Sequence, residues 1–347
     1  MLTTQKNMEW NILQSAVQGT SHEELGLPCQ DKTASAVYGD CKVIALADGA
    51  GSASLSHAGA ECVVQTMSRY LSTEFERLYA NPNAAAVRAE LMALLHHRLR
   101  EMAEVQGCCM ADLASTLLLA AVKGERYILL HLGDGLIAYR KNGVLRPASL
   151  PSNGEYANTT TFTTSSPERA GMRLIKGELG VIDGFVLMSD GSYASLYNKA
   201  LAAPAPVLGW LMDLCSYLPA EEVEQGLEES LVNDVRAMTA DDCSIAVLAR
   251  RHDSPVGAAV LSYPVLLRLT GLEYHAPNSR RRLRVYLSIL SALAEPTYLS
   301  NIVPQVHQKI SHLVKKINIL EQLHLVKRLH DGRFVSLACF DTHRVGK

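Results

Sequence analysis

Apolar and polar positions alternate over short intervals in the first 250 or so residues, and the period of that pattern separates strands from helices. Short runs rich in β-branched and aromatic residues, bounded by Gly and Asp, are typical of strands. On this basis strands are predicted at residues 9–18, 33–38, 42–47, 115–122, 126–132, 135–140, 184–189 and 244–250.

A helical period begins near Ser56, where Ala60, Val63, Val64 and Met67 recur at intervals of three and four. A second helix is predicted over 84–105, and further helices between Tyr193 and Met238. The polar stretch 150–171 has little periodicity. It fits either a surface loop or a mobile flap beside an active site.

The last part of the chain has a different pattern. A helix is predicted over 280–295, a helical stretch over 300–326, and two strands within 327–340 around the turn Asp331-Gly332. Helix, helix and then two strands is the order of a winged-helix module. We therefore predict a first domain at 1–254, a linker at 255–279 and a basic winged-helix-like domain at 280–347.

Composition narrows the class of protein. Of the 347 residues, 48% are hydrophobic and 20% are charged, which is typical of a soluble globular chain. No apolar run approaches the length of a membrane span, and the N-terminus lacks the basic and apolar segments of a signal peptide. We expect a cytoplasmic protein without a membrane partner. The eight cysteines show no CxxC spacing, which favours buried thiols over a zinc site.

Charge is distributed unevenly between the two parts of the chain. The net charge is −2, but residues 263–347 hold 13 Lys and Arg against 5 Asp and Glu, a balance of +8. Such asymmetry indicates two modules with different partners. The C-terminal basic residues suit DNA phosphates, whereas an apolar helix stripe suits an ordinary core in a protein-docking module. The basic set is Lys309, Lys315, Lys316, Lys327, Arg328 and Arg333, and the stripe is Ile310, Leu313, Ile317 and Leu320.

Three aspartates follow apolar strands, and each precedes a glycine: Asp48, Asp134 and Asp190. Asp241 and Asp242 stand just before the last strand of the first domain. Carboxylates this close would repel one another and raise their pKa values unless a cation lay among them. Hard oxygen ligands favour Mg²⁺ or Mn²⁺. The alternative for DGAGSAS, a glycine-rich nucleotide loop, lacks both the P-loop lysine and the full GxGxxG spacing.

Six motifs occur in a fixed order: GLPCQD (26–31), ALADGAGS (45–52), STLLLAAV (115–122), HLGDG (131–135), LMSDG (187–191) and DDCSIAV (241–247). Together they resemble the metal-dependent serine/threonine protein phosphatases of the type-2C, or PPM, family. The resemblance covers roughly residues 9–250. It implies an α+β fold in which two antiparallel sheets, flanked by helices, form a four-layer α-β-β-α sandwich, here followed by the winged-helix-like domain.

The resemblance also implies roles for individual residues. Asp31, Asp48 and the carbonyl of Gly49 would hold one metal ion, and Asp48 would bridge to another that is completed by Asp190 and Asp241. Asp242 is the alternative to Asp241, and Asp134 matches a position that supports a third ion in bacterial members. The implied cofactors are two Mg²⁺ or Mn²⁺ ions, with a third at Asp134.

The implied reaction is hydrolysis of phosphoserine and phosphothreonine by a water that the two metal ions activate, without a covalent intermediate. The implied partners are a phosphorylated protein substrate and a cognate Ser/Thr kinase. Two positions differ from relatives: Gly26 stands where many have a phosphate-binding Arg, which leaves His22 as a substitute, and Ala50 stands where eukaryotic relatives have His. The alternative function is a catalytically weak regulator that binds a protein or DNA through its C-terminal domain.

Overall fold

The computed structural model describes residues 10–151, 160–166, 170–217, 220–251, 263–323, 325–329 and 331–336. The chain divides into two compact units, Met1–Arg251 and His252–Lys347. The domain boundary predicted at 254 lies outside the described residues. Within the described part, no helix has both the length and the apolar character that a membrane span requires.

Two five-stranded sheets organise the first unit, and every strand pairing in them is antiparallel. The predicted mixed α/β class with two antiparallel sheets is therefore confirmed. In order across the first sheet, the strands are β1 (Trp10–Val17), β12 (Cys243–Arg250), β9 (Ile182–Met188), β6 (Leu136–Lys141) and β7 (Val144–Ser149). In order across the second sheet, they are β2 (Lys32–Tyr38), β3 (Cys41–Ala47), β4 (Leu117–Lys123), β5 (Arg126–Leu132) and β8 (Arg173–Glu178).

The inner faces of the two sheets share one apolar layer. Tyr127 of β5 meets Phe185 of β9 with ring centroids 5.2 Å apart, so the sheets contact each other directly. Burial of this layer supplies the apolar free energy that holds the sheets together. Its fully or nearly fully buried members include Ile44, Leu46, Leu118, Leu129, Ile137, Leu187, Ala246 and Leu248.

Helices cover the outer face of each sheet. Ser56–Ala80 and Ala84–Gln106 bury Met67, Phe75 and Leu95 against the second sheet. On the first sheet the covering helices are Asp190–Leu196, Pro206–Tyr217 and Ala220–Ser230. Thr20–Glu24 is a short helix after β1, and a 3₁₀ turn at Met110–Leu113 precedes β4. After Ser230 the chain continues as a π-helical turn, Leu231–Val235, and a 3₁₀ turn, Arg236–Met238. A two-residue pairing joins β10 (Tyr197–Asn198) and β11 (Ala203–Pro204).

The sequence pattern did not predict two strands of the five-stranded sheets, β7 and β8. Each lies at the edge of its sheet. Their residues are partly exposed, and β7 contains Pro147, which an edge strand tolerates because one row of its backbone groups needs no ladder partner. Edge strands with one solvated side lack the continuous apolar run of a central strand, so the pattern that identified β3 and β4 was absent here.

The second unit has its own core. Its helices are Tyr263–Leu269, Ser279–Ala292, Leu299–Val306 and Ile310–Gln322, and a hairpin pairs β13 (Val326–Arg328) with β14 (Phe334–Ser336). Residues 263–279, assigned to a linker from the sequence, instead contribute a helix and place Leu267 and Leu272 in this core. Leu313, Ile317 and Leu320 of the predicted stripe are buried, but Ile310 is 51% exposed because it lies in the first turn of its helix.

Candidate metal centre

Asp48 stands at the end of β3, whose residues are buried except for Lys42. The backbone of Asp48 is held on both sides by Thr116: its N–H donates to Thr116 Oγ1 at 2.9 Å, and its carbonyl accepts the Thr116 N–H at 2.8 Å. The next residues continue this contact, because Gly49 pairs with Ser115 and the Ala50 N–H donates to the Ala114 carbonyl. Asp48 is therefore fixed by backbone bonds and not by a flexible loop.

Asp134 and Asp190 follow β5 and β9, so they come from different sheets. Carboxylate oxygens of Asp48, Asp134 and Asp190 all lie within 4.8 Å of one another. Two members of this carboxylate triad are carried by the second sheet and one by the first. The structure thus brings together all three Asp-Gly aspartates that the sequence singled out.

Asp31 is 1% exposed. Its Oδ2 accepts a hydrogen bond from the Ser244 hydroxyl at 2.7 Å, whereas its Oδ1 is buried and has no hydrogen-bond partner among the described residues. A buried carboxylate oxygen without a partner is costly, since it loses its hydration and gains nothing in return. A cation beside this atom would remove that cost.

Asp241 and Asp242 are adjacent, but the structure gives them different surroundings. Asp241 is exposed, and its Oδ1 accepts the Asp242 N–H at 2.9 Å. Asp242 is 2% exposed, and its two oxygens accept the N–H groups of Gly19 at 2.6 Å and Gln30 at 2.5 Å. Asp242 therefore supports the loop that leads to Asp31. Asp241 and Asp242 both stay predicted metal ligands.

The family model described as Protein phosphatase 2C matches residues 18–232, more than half of the chain. The chain belongs to the protein phosphatase 2C family. In this family a curated relative, serine/threonine-protein phosphatase 3 of Escherichia coli (strain K12), is 28% identical over 162 residues, which are 45% of the present chain. The match spans 64% of the length of that relative.

Solved structures with the same fold include crystal structures of a bacterial serine phosphatase carrying point mutations. Two of these variants each have a TM-score of 0.50 and 16% identity. They cover 71% and 72% of this chain and 100% of their own chains. At that identity the similarity establishes a shared fold.

Burial and neighbouring carboxylates dominate the electrostatics of the phosphatase 2C site. Burial raises the pKa of Asp31 to about 7, and the hydroxyls of Ser244 and Ser189 oppose that rise. The pKa of Asp48 is raised well above its usual value, first by burial and then by the carboxylates of Asp31 and Asp190. Burial, followed by Asp134 and Asp241, also raises the pKa of Asp190. A divalent cation would reverse these effects, because it favours the ionised form of each group.

The donor set of the phosphatase 2C site fits Mg²⁺ or Mn²⁺. It offers the clustered carboxylate oxygens of Asp48, Asp134 and Asp190, and a buried oxygen of Asp31 that has no hydrogen-bond partner among the described residues. Gly49 packs tightly beside this site, since a Cβ there would lie 2.9 Å from Ser56. A larger residue at 49 would push the strand end and the helix start apart. The carbonyl of Gly49 stays a predicted ligand.

His22, the substitute proposed for a phosphate-binding Arg, faces Asp242. Its Nδ1 lies 2.9 Å from Asp242 Oδ1, close enough for an ion pair when the ring is protonated, but outside hydrogen-bond geometry. This contact leaves Nε2 as the ring atom for a substrate. Substrate binding by His22 stays a prediction.

Sequence reasoning missed the residues that join the polar 150–171 stretch to the phosphatase 2C site. Thr160 donates its hydroxyl to Asp134 Oδ2 at 2.6 Å. Thr163 is fully buried, its N–H donates to the Ser115 carbonyl at 2.8 Å, and its own carbonyl lies 3.1 Å from His96 Nε2. The run of threonines was visible in the sequence, but their partners lie too far along the chain for a local pattern to reveal. The flap predicted here includes 152–159 and 167–169, which lie outside the described residues.

Proposed function

We propose that this protein is a metal-dependent phosphatase that removes phosphate from phosphoserine and phosphothreonine in proteins. The observation that carries the proposal is the carboxylate triad of Asp48, Asp134 and Asp190, which lies where the two sheets meet in a chain of the phosphatase 2C family. The E. coli relative that shares part of the sequence bears the name of a serine/threonine-protein phosphatase, and it supports the substrate class.

The residues proposed to hold two Mg²⁺ or Mn²⁺ ions are Asp31, Asp48, the Gly49 carbonyl, Asp190 and Asp241, with Asp134 available for a third. When bound, such cations would activate water through their Lewis acidity and offset the negative charge of the phosphate. Asp31 would use its Oδ1 for this purpose, because its Oδ2 is already bonded to Ser244.

Small residues follow Asp48 of the triad. Ala50 is 7% exposed and packs with Ala53, Ala114 and Phe162, so it offers no group that could protonate the leaving alcohol. We therefore propose that water protonates the departing serine or threonine. Thr160 holds one oxygen of Asp134 and so fixes the direction in which that carboxylate faces the triad.

The deciding experiment is an assay of Mn²⁺-dependent hydrolysis of p-nitrophenyl phosphate and of a phosphothreonine peptide. Asp48→Asn and Asp190→Asn should each reduce kcat at least a hundredfold, because each removes charge from the centre. Asp40→Asn is the matched control, since Asp40 is an exposed turn residue outside the triad. Absence of turnover in the parent with Mn²⁺ present would contradict the proposal and favour the regulator.

For the second unit we propose a winged-helix-like module that docks a protein partner, either the phosphoprotein substrate or its kinase. Helix Ile310–Gln322 carries Leu313, Ile317 and Leu320 into the core and leaves apolar side chains outside: Ile310 is 51%, Val314 40% and Ile319 38% exposed. Exposed apolar groups beside lysines suit a protein surface better than a sugar-phosphate backbone. We propose that the second unit binds this protein partner in the cytoplasm.

DNA binding is the competing use of this unit, because of its excess of basic residues. A salt titration distinguishes the two. Measurable affinity for duplex DNA that falls steeply between 50 and 200 mM salt would favour DNA, whereas no affinity at low salt would leave protein docking.

A further inference from the structure

A cavity of about 410 Å³ opens in the second unit, where the chain turns into helix Ser279–Ala292. Its lining is drawn from two short stretches of that unit and combines three aromatic rings with polar and basic groups. The lining residues are Tyr263, Tyr274, His275, Ala276, Asn278, Ser279 and Arg280. The volume lies in the range of small-molecule sites.

The aromatic rings of the cavity meet edge to face. The centroids of Tyr263 and Tyr274 are 5.9 Å apart, and those of Tyr274 and His275 are 4.8 Å apart, with interplanar angles of 64° and 84°. In such a contact the edge of one ring meets the face of the other, and 54% of Tyr274 stays exposed. An exposed tyrosine on the wall of a cavity offers a stacking surface for a planar ring.

Positive charge lies beside these rings. The guanidinium of Arg280 stands 5.8 Å from the centre of the Tyr263 ring. Arg281, Arg282 and Arg284 follow on the same helix, and among the described residues none of the four arginines forms an ion pair. From 263 to 294 the sequence has five arginines and one acidic residue, Glu273. A ligand of this cavity should therefore carry negative charge.

The cavity wall is held in a fixed shape. The Ser279 hydroxyl is 4% exposed and donates to the carbonyls of Glu273 at 2.6 Å and Ala276 at 2.9 Å. Asn278 has a φ of 65°, a left-handed conformation that costs free energy in a non-glycine residue and is concentrated at ligand sites. A fixed wall reduces the entropy lost when a small ligand binds.

We infer that this cavity binds the base and phosphate of a nucleotide, with the base stacked on Tyr274 and the phosphate near Arg280. The free mononucleotide and the end of a single strand share this chemistry. The inference does not depend on phosphatase activity, because every lining residue belongs to the second unit.

The test is calorimetric titration of the full-length protein with AMP, without divalent cations so that the carboxylate triad cannot contribute through a metal. We expect one site per chain. Tyr274→Ala and Arg280→Gln should each weaken AMP about tenfold, which matches the loss of one stacking or one charged contact. Tyr298→Ala and Arg268→Gln are the matched controls, since both residues are exposed and lie outside the cavity lining, and they should change affinity less than twofold.

Ribose 5-phosphate, adenosine, an oligothymidylate and a phosphothreonine peptide complete the comparison. Ribose 5-phosphate and adenosine should each bind more weakly than AMP. Tighter binding of the oligothymidylate, with the same dependence on Tyr274 and Arg280, supports the site and identifies a strand as the source of the nucleotide. The inference is overturned if AMP produces no heat, if ribose 5-phosphate equals AMP, if the control variants weaken AMP as much as the cavity variants, or if the phosphopeptide binds and AMP does not.

Discussion

Asp242 illustrates how one carboxylate can join distant backbone segments beside a site. Its oxygens accept N–H groups from Gly19 and Gln30, and the carbonyl of Gln30 in turn accepts the Gly49 N–H at 3.2 Å. Asp242, which directly precedes β12, is thus linked by hydrogen bonds to the backbone beside Asp31 and Asp48. Its two contacts span more than 200 residues of sequence, so a local motif could place Asp242 near a metal but could not reveal what its oxygens touch.

Asp242→Asn should destabilise the protein by about 1–3 kcal/mol. An amide nitrogen cannot accept an N–H, so one buried backbone donor loses its partner. Urea unfolding followed by tryptophan fluorescence measures the effect, because both tryptophans, Trp10 and Trp210, lie in the first unit. Asp40→Asn, an exposed carboxylate, should stay within about 0.5 kcal/mol of the parent. A parent-like midpoint for Asp242→Asn would show that these contacts contribute nothing to stability.

The metal-free protein should lose stability as pH rises from about 5.5 to 7.5. The folded pKa of Asp31 is about 7 and its usual value is 3.8, so between these limits the folded state binds more protons than the unfolded state. Stability then falls with rising pH until the folded pKa is passed, by on the order of 2 kcal/mol over this interval. The raised pKa values of Asp48 and Asp190 act in the same direction.

Urea unfolding in EDTA at several pH values tests this expectation. Asp31→Asn should flatten the profile, and Mn²⁺ should reverse it, since cations hold the carboxylates ionised. Stability that rises with pH in EDTA would contradict the assignment.

Among the elements, the best predicted were the central strands. The pattern placed strands at 42–47 and 126–132, and the structure has Cys41–Ala47 and Arg126–Leu132. The β-branched and apolar residues of these strands face buried layers, so the strand pattern is visible in the sequence. Edge strands β7 and β8 were missed because solvent on one side permits residues such as Arg146 and Lys176 there. The three Asp-Gly pairs could be placed at strand ends because the strands before them have a clear apolar pattern.

Two helical glycines should respond to alanine in opposite ways. A Cβ at Gly59, on helix Ser56–Ala80, would collide with the Leu113 backbone, so Gly59→Ala should destabilise by more than about 2 kcal/mol. At Gly209, on helix Pro206–Tyr217, the nearest atom to a new Cβ is a Leu145 methyl at 3.8 Å. Gly209→Ala should therefore stabilise, by up to about 1 kcal/mol, through helix propensity. Thermal unfolding of both variants checks the pair, and destabilisation by both would refute the packing argument for Gly209.

A chain of hydrogen bonds joins the residues that flank the 150–171 stretch. Arg173 Nη1 donates to the Ser149 hydroxyl at 2.9 Å and to the Leu150 carbonyl at 2.7 Å. Ser149 contacts His131 Nδ1 at 2.7 Å, and His131 Nε2 contacts the Gly133 carbonyl at 3.1 Å. Since a carbonyl only accepts, Nε2 carries the proton and Ser149 donates to Nδ1. Burial, aided by Arg173, lowers the pKa of His131 to about 4, which keeps the ring neutral as this chain requires.

Ser149→Ala interrupts that chain and should cost about 1–2 kcal/mol, because it leaves buried His131 without its donor. Hydrogen exchange should also accelerate at the Thr163 amide, which depends on the same segment. Ser35→Ala, an exposed position on β2, is the matched control. Unchanged exchange at Thr163 would mean that the two ends of this segment are held independently.

For the whole molecule, separate cores predict separate unfolding transitions. The carboxylate triad and both tryptophans belong to the first unit, whereas the second unit has its own apolar cluster. Mn²⁺ at a hundred times its Kd should stabilise the first unit by about 2.7 kcal/mol and leave the second unchanged. Calorimetry together with tryptophan fluorescence measures this, and an equal shift of both transitions would contradict independent units.

The apolar layer between the two sheets is a spacer that sets the distance between the carboxylates of the triad. Asp48 and Asp134 belong to one sheet and Asp190 to the other, and the apolar layer around Tyr127 and Phe185 fixes the separation between those sheets. Substitutions that make this layer thicker or thinner would change the distances between the three carboxylates without replacing any of the aspartates. We therefore expect substitutions in this apolar layer to change which ion radius the carboxylates accept.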